Sequence, residues 1–246
     1  MKKILGLLLV SVFLLMGIVG CNEEKKDSKI ILGTNAEFPP FEYREKGEIT
    51  GFDMELARAI SKKMGRELEI KDMAFDGLIP ALQSKKIDFI AAGMTATDER
   101  RKNVNFTASY YESSQVIIVN VENNEIKGVK DLEGKKVGVQ LGTTGDTEAQ
   151  KIKGVKLKKY NAAFAGVMEL KNKKIEAIIL DSEPAANFVR ENKGLKILPE
   201  NLTKEEYAMA ISKGNESLLK EIDGALKELR ENGEYDRLFE KYFSEK

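Results

Sequence analysis

Short apolar runs alternate with amphipathic helical stretches along most of this chain, and the alternation is laid down twice. In the first set, strand-like runs at 30–33, 68–71 and 87–91 bracket two helical patterns. One starts at Asp53, placed to cap it. It carries Leu56, Ile60 and Met64 at i, i+4 and i+8 and reaches Gly65 at its C-terminal end. The other, 76–84, is buried through Leu78, Ile79 and Leu82. The second set has strands at 136–139, 156–160 and 177–180, with helices from about Asp146, over 162–172 and over 183–191. Between the sets, 114–120 holds a β-branched run, 116–119, with no helix before it, which reads as a crossing between lobes. Residues 207–211 read as the returning crossover. A long amphipathic helix, 215–232, with Leu218, Leu219, Ile222, Leu226 and Leu229, and a shorter one, 234–242, close the chain. Strands that alternate with helices build α/β layers. The expected fold is therefore α/β, with two α/β lobes joined by a two-strand hinge. Residues 29–116 plus 208–246 form lobe 1 and 117–207 form lobe 2.

Composition removes several kinds of chemistry. Lys plus Arg and Asp plus Glu both number 40, so the formal net charge is zero and no basic excess points to nucleic acid. There is no His, the usual general base near neutral pH and the commonest metal ligand. No cofactor and no metal site are expected. The one Cys, Cys21, excludes disulfides within the chain. It follows a basic start, Met1-Lys2-Lys3, and an apolar run, 4–19, too short for a comfortable membrane span. Ile18-Val19-Gly20-Cys21 resembles a bacterial lipobox, which implies that 1–20 is a lipoprotein signal peptide and that Cys21 becomes the lipidated N-terminus. A plain signal peptide or a short anchor is the alternative. Residues 21–28 are polar and read as a flexible tether.

The residues with most chemical content stand where apolar strands end. The segment Ala92-Gly93-Met94-Thr95-Ala96-Thr97-Asp98-Glu99-Arg100 follows the strand at 87–91, and Asp181 follows the strand at 177–180. Ligands of open α/β sheets sit beyond the carboxyl ends of strands. The fork of Arg100 matches two carboxylate oxygens, with Thr95 adding a hydroxyl and an N–H, and Asp181 suits an ammonium. Together they would grip a free α-amino acid, and binding between the lobes would close the hinge. Gly142-Thr143-Thr144-Gly145, before a helix, offers N–H groups to an anion but is not a P-loop, because no Lys follows in the required place. Each residue also has a plainer role. Arg100 fits a charged surface helix over 98–102, Asp181 fits a helix cap, and aromatics such as Phe38 and Phe75 are more often core.

Several motifs, in order from about 30 to 243, resemble the polar amino-acid-binding proteins of bacterial ABC transporters. They are Gly33-Thr34-Asn35-Ala36-Glu37-Phe38-Pro39-Pro40-Phe41-Glu42, Gly51-Phe52-Asp53, Phe75-Asp76-Gly77-Leu78-Ile79-Pro80-Ala81-Leu82, Lys86-Ile87-Asp88, the segment from Gly93 to Arg100, Phe106 with Tyr110-Tyr111, Gly138-Val139-Gln140-Leu141-Gly142-Thr143-Thr144-Gly145, and Asp181-Ser182-Glu183-Pro184. The resemblance implies a two-lobe, type II periplasmic-binding-protein fold with its ligand in the interlobe cleft. It implies that Arg100 and the N–H groups of Thr95 and Thr144 hold the α-carboxylate. Asp181, the Thr95 hydroxyl and the Gly93 carbonyl take the α-ammonium, Phe38 and Phe75 flank the side chain, and residues near Asn35, Glu37, Met94 and Gln140 complete the pocket. The partners implied are a free L-amino acid, the transmembrane subunits of an ABC permease, and the membrane through a lipid anchor on the outer face of the cytoplasmic membrane. The protein is expected to act as a monomer and not as an enzyme.

Ligand identity is read from the pocket's charges. Beyond Arg100 the expected pocket has no cation, so an acidic side chain lacks a partner. Glu37 favours arginine or lysine, with Phe38 and Phe75 covering the aliphatic stem. Several basic-amino-acid binders carry Asp where this chain has Asn35, and Asn35 with Gln140 suits glutamine equally. A cyclohexadienyl (arogenate) dehydratase on the same scaffold is a further alternative, with Glu37 as its general acid. A free-standing sensor that docks on a separate receptor is another.

Overall fold

The structure, a computed structural model, describes residues 29–244. The lipobox with Cys21 and the tether lie outside the described residues. The chain opens with β1 (Lys29–Thr34), a small antiparallel sheet of β2 (Glu37–Phe38), β3 (Glu42–Glu45) and β4 (Glu48–Thr50), then α1 (Phe52–Lys63) and β5 (Glu67–Asp72). A 3-10 turn (Phe75–Gly77) runs into α2 (Leu78–Gln83), β6 (Phe89–Ile90), α3 (Asp98–Asn103), β7 (Val104–Phe106) and β8 (Tyr111–Ser113). The second set is β9 (Gln115–Asn120), β10 (Lys136–Gln140), α4 (Thr144–Gln150), β11 (Lys156–Tyr160), α5 (Ala163–Lys171), β12 (Ala177–Asp181), α6 (Ser182–Glu191) and β13 (Leu195–Asn201). The return is β14 (Glu205–Tyr207), β15 (Ala210–Ser212), α7 (Glu216–Glu231) and α8 (Glu234–Phe243).

Two five-stranded sheets result, ordered β5-β1-β6-β15-β7 and β11-β10-β12-β9-β13. In each, the first three strands run parallel and the fourth runs against its neighbours. That antiparallel fourth strand is the one that has just crossed over, β9 after β8 and β15 after β14. Strands β8 and β14 pair antiparallel, Ser113 with Glu205 and Tyr111 with Tyr207, and form the two-strand hinge. The boundary expected between Val116 and Ile117 falls inside β9, all of which belongs to the second sheet. In β9 the residues from Gln115 to Val119 are buried, and so is the whole of β12. Strands covered on both faces read as continuous apolar runs, which is why these two stand out in the sequence. Helix α1 buries Phe52, Met54, Leu56, Ala57 and Ile60, and α7 buries Leu218, Ile222, Ala225, Leu226 and Leu229. Helix α8 lays Phe239 and Phe243 on the hinge, with ring centroids 6.0 and 4.8 Å from Tyr111.

Local details depart from expectation. Asp53 does not cap α1. Gly51 holds the cap position, and Asp53 turns its carboxylate inward from the first turn. The returning crossover is two short strands, β14 and β15, because Met209 between them exchanges bonds with Thr107 instead of continuing a ladder. The β2–β4 hairpin and α3 have no apolar period to announce them.

Gly51 has φ 126°, and a Cβ there would lie 2.2 Å from the Phe41 carbonyl oxygen. Gly65 also has a positive φ, 68°, but meets nothing within 4 Å. Gly51→Ala should therefore lower stability by about 2 kcal/mol or more, and Gly65→Ala by only about 1 kcal/mol. Urea midpoints of the two variants measure the difference, and equal losses would refute the close-approach argument.

Candidate functional site

The first lobe's contribution starts where β1 and β6 end. After β6 the chain turns through Gly93, which has φ 51° and whose N–H donates to Asp53 Oδ2 at 2.9 Å. A Cβ at Gly93 would sit 3.1 Å from the Phe38 ring, so glycine is what lets the backbone pass beside it. The next residues are fixed to the hinge strand: Ala96 N–H donates to the Glu206 carbonyl and Ala208 N–H to the Met94 carbonyl. Arg100 lies in the short helix α3, whose cap Thr97 accepts from the Arg100 N–H at 3.2 Å. Its guanidinium folds back over the Phe75 ring at 5.2 Å and donates from Nη1 to the Thr95 carbonyl at 2.8 Å. Arg100 is thus both a helix residue and a cleft residue.

The second lobe supplies the facing wall from the ends of β10 and β12. Thr143 caps α4, accepting from the Asp146 N–H, which puts the N–H of Thr144 in the helix's first turn. Arg100 reaches across and donates from Nη2 to the Gly142 carbonyl at 3.0 Å. Gln140 Nε2 donates to Asn35 Oδ1 at 2.8 Å, a second bond between lobes, and Asn35 Nδ2 donates to the Met73 carbonyl. Asp181 ends β12. Its backbone caps α6, but its side chain makes no cap bond and accepts instead from the Tyr207 hydroxyl at 2.6 Å.

These walls close on one another and leave a pocket with room for little more than a water molecule. It is lined by Asn35, Phe38, Glu42, Phe75, Ala92, Gly93, Thr95, Arg100, Gln140, Thr143, Thr144 and Asp181. Nine residues expected from sequence are thereby brought together: Asn35, Phe38, Phe75, Gly93, Thr95, Arg100, Gln140, Thr144 and Asp181. Two are not. Met94 packs into the core cluster that holds Leu78 and Phe106 and does not line the pocket. Glu37 is exposed in β2, because neighbours in a strand point to opposite faces and Phe38 takes the inner one.

The carboxyl that Glu37 was expected to supply comes from Glu42. In the hairpin, Phe38 pairs with Glu42 and Glu37 with Tyr43. Directly paired residues share a face, so Phe38 and Glu42 enter the pocket together. A signal was present in Phe38-Pro-Pro-Phe-Glu42, where a tight Pro turn folds the fifth residue back opposite the first. Glu205 was also missed; it lies outside the pocket lining but bonds two of its residues.

Charge in the pocket is unbalanced. Among the lining residues Arg100 is the one cation, and Glu42 and Asp181 are acids, 1% and 3% exposed. Burial pulls the Arg100 pKa down, while Asp181, Glu205 and Tyr207 hold it up. Burial raises Asp181 to about 7, helped by Glu205 and opposed by Tyr207, Gln115 and Arg100. Burial and then Asp53 push Glu42 well above the usual carboxylate range, and burial lifts Asp53 to about 6. Each carboxyl therefore favours its protonated form more than a free acid does. Glu42 Oε2 and Asp53 Oδ1 are buried and have no hydrogen-bond partner.

A cleft between two α/β lobes, with a guanidinium on one wall and buried carboxyls around it, defines a binding protein for small zwitterions. The comparisons agree with that class. The sequence profile described as "Bacterial extracellular solute-binding proteins, family 3" matches residues 30–245, and the chain belongs to this family. The arginine-binding extracellular protein ArtP of Bacillus subtilis (strain 168) is 36% identical over 254 residues, covering 99% of each chain. An ancestral arginine-binding protein solved with arginine is 44% identical, with TM-score 0.86 over 88% of this chain and 99% of the other. An ancestral arginine-binding protein solved with glutamine is 45% identical, with TM-score 0.86 over 89% and 99%. The family is one of extracellular or periplasmic proteins that serve ABC permeases, and among the described residues no helix is long and apolar enough to cross a membrane.

An acid whose folded pKa exceeds its unfolded value holds its proton more tightly in the fold. That stabilises the fold at low pH, and the advantage is lost as pH rises through the folded pKa. For Asp181 the window runs from 3.8 to about 7. Asp181→Asn, refolded with no amino acid added, should be more stable than wild type by about 2–4 kcal/mol at pH 8, with the gap shrinking toward pH 4. Urea unfolding at several pH values measures it. A gap independent of pH would show that Asp181 ionisation does not strain the fold.

Proposed function

We propose that the chain is the substrate-binding lipoprotein of an amino-acid ABC importer and takes a free α-amino acid with a cationic side chain, arginine or lysine. The observation that carries this reading is Glu42. It is a carboxyl 1% exposed that lines the pocket on the same face as Phe38, and its Oε2 has no hydrogen-bond partner. A guanidinium or ammonium beside this carboxyl would favour its ionised form, while Phe38 and Phe75 cover an aliphatic stem.

At the other end, Arg100 spends two of its five N–H donors on the Thr95 and Gly142 carbonyls and keeps three. That leaves a fork for the α-carboxylate, joined by the N–H groups of Thr95 and Thr144. Asp181 Oδ1 is taken by Tyr207, and its other oxygen, with the Thr95 hydroxyl and the Gly93 carbonyl, suits the α-ammonium. Closure would rotate the two sheets about β8 and β14, with a lobe of 29–113 plus 208–246 against one of about 114–204. The relatives named for arginine support the ligand class. A neutral polar ligand such as glutamine is the second reading, favoured by the paired amides of Asn35 and Gln140 and by the ancestral relative solved with glutamine. We assign the protein no catalytic step. We also propose that Cys21 carries the lipid that tethers it to the outer face of the cytoplasmic membrane, and that it works as a monomer.

The test is a series of melting-temperature shifts and titrations on protein unfolded and refolded to strip carried-over ligand. Arginine or lysine at about 100 times Kd should add about 2.7 kcal/mol of stability. Glu42→Gln should weaken arginine about 10- to 100-fold and leave its neutral isostere citrulline nearly unchanged. A cation favours ionised Glu42, so arginine affinity should also rise as pH is raised. A shift with glutamine alone, indifferent to Glu42, would move the reading to a neutral polar amino acid. No shift with any amino acid would overturn it.

A further inference from the structure

Glu205 is 5% exposed on the returning hinge strand β14, and nothing in the reading above uses it. Its Oε1 accepts from the Thr203 hydroxyl at 2.8 Å. Its Oε2 accepts from the Thr95 hydroxyl of the first lobe at 2.6 Å, from the Thr144 hydroxyl of the second at 2.9 Å, and from Gln115 Nε2 at 3.4 Å. A hydroxyl owns one proton. The proton of Thr95 is committed to Glu205, so toward the cleft Thr95 presents lone pairs alone. The proton of Thr144 is committed in the same way, and its oxygen also accepts from Gln115 Nε2 at 2.9 Å. Around this end of the pocket every side chain except Arg100 therefore faces inward as an acceptor.

We propose that Glu205 is a positioning residue that makes the cleft select α-amino acids over their α-hydroxy and des-amino counterparts. It does so by holding the Thr95 hydroxyl as an obligate acceptor. An ammonium brings three N–H donors and satisfies Thr95 and Asp181 together. An α-hydroxyl brings one, and a methylene none, so an acceptor is left buried without a partner. Asp181 supplies charge to the same position, and Glu205 supplies direction. When Glu205 becomes glutamine, its amide donates to Thr95. The Thr95 proton is then released to turn into the cleft, where it rewards an acceptor and opposes an ammonium.

The inference rests on the amino-acid reading of the site, and one set of titrations separates the two. Dissociation constants are measured for arginine and for 5-guanidinopentanoate, its des-amino analogue, in wild type, Glu205→Gln, Thr95→Val and the double variant. In Glu205→Gln the preference for arginine over the analogue should fall tenfold or more, chiefly by weaker arginine binding. In the Thr95→Val background the same change should have little further effect, because the hydroxyl it acts through is gone. Equal losses for both ligands, or an undiminished effect of Glu205→Gln in Thr95→Val, overturn the proposal while the amino-acid reading stands. Failure of wild type to bind any amino acid overturns both. If Glu205→Gln does not refold, Thr95→Ser and Thr95→Val carry the test. Serine keeps a proton for Glu205 and should keep the wild-type preference, and valine should lose it tenfold. Equal preferences in the two variants overturn the proposal.

Discussion

One guanidinium stands among more buried acids than it can neutralise. Arg100 shares the pocket with Asp181 and Glu42, Glu205 bonds two of its hydroxyls, and Asp53 is a buried acid that raises the pKa of Glu42. A buried charge without a partner is costly, so such a site is stable in the fold only through compensations. Here they are the Tyr207 and Tyr110 hydroxyls on Asp181 and Asp53, the proton on Glu42, and the two carbonyls that hold Arg100 in place. Each is weaker than the charge pairs that a dibasic amino acid would make. The cleft is therefore selective by what it lacks. On the reading proposed above it would reward a molecule that brings one carboxylate and two cations at opposite ends, and would penalise one that brings an acid or an amine alone.

The same groups explain how the lobes are held. The bonds from Arg100 to Gly142 and from Gln140 to Asn35 cross the cleft, and their donors, Arg100 and Gln140, are also pocket residues. Contact between lobes and contact with a ligand thus draw on one set of donors. A ligand that engages them need not create new interlobe bonds; it replaces or extends those already made. The hinge strands are paired, and the α8 aromatics packed on Tyr111 brace them from behind.

Legibility in the sequence followed burial. Strands β9 and β12 and helices α1 and α7 carry an apolar run or period because their neighbours demand it, and each was readable. The strand β3, Glu-Tyr-Arg-Glu, and the helix α3, Asp-Glu-Arg-Arg-Lys-Asn, have no apolar face and are held by pairing and by the Thr97 cap, which a periodicity cannot reveal. In the site, Arg100 and Asp181 were legible because each follows an apolar strand, where α/β sheets present their ligands. Glu42 was not, since only the hairpin register turns it inward beside Phe38. Glu37 misled by adjacency, because one step along a strand reverses the face. Glu205 lies in a polar stretch, Asn-Leu-Thr-Lys-Glu-Glu-Tyr, whose importance comes wholly from where the second crossover passes.

That crossover also orders the assembly of the molecule. Strand β15 lies between β6 and β7 in the first sheet, yet it is built from residues 210–212, after the whole second sheet. The second sheet, by contrast, is drawn from one continuous stretch, 115–201. As the chain emerges from its amino end, the first sheet must wait with a gap at its fourth position, its edge groups on β6 and β7 unpaired, until almost the entire polypeptide is available. The lobe that starts first finishes last, and a chain threaded through an export channel completes its binding cleft only when the final crossover is released.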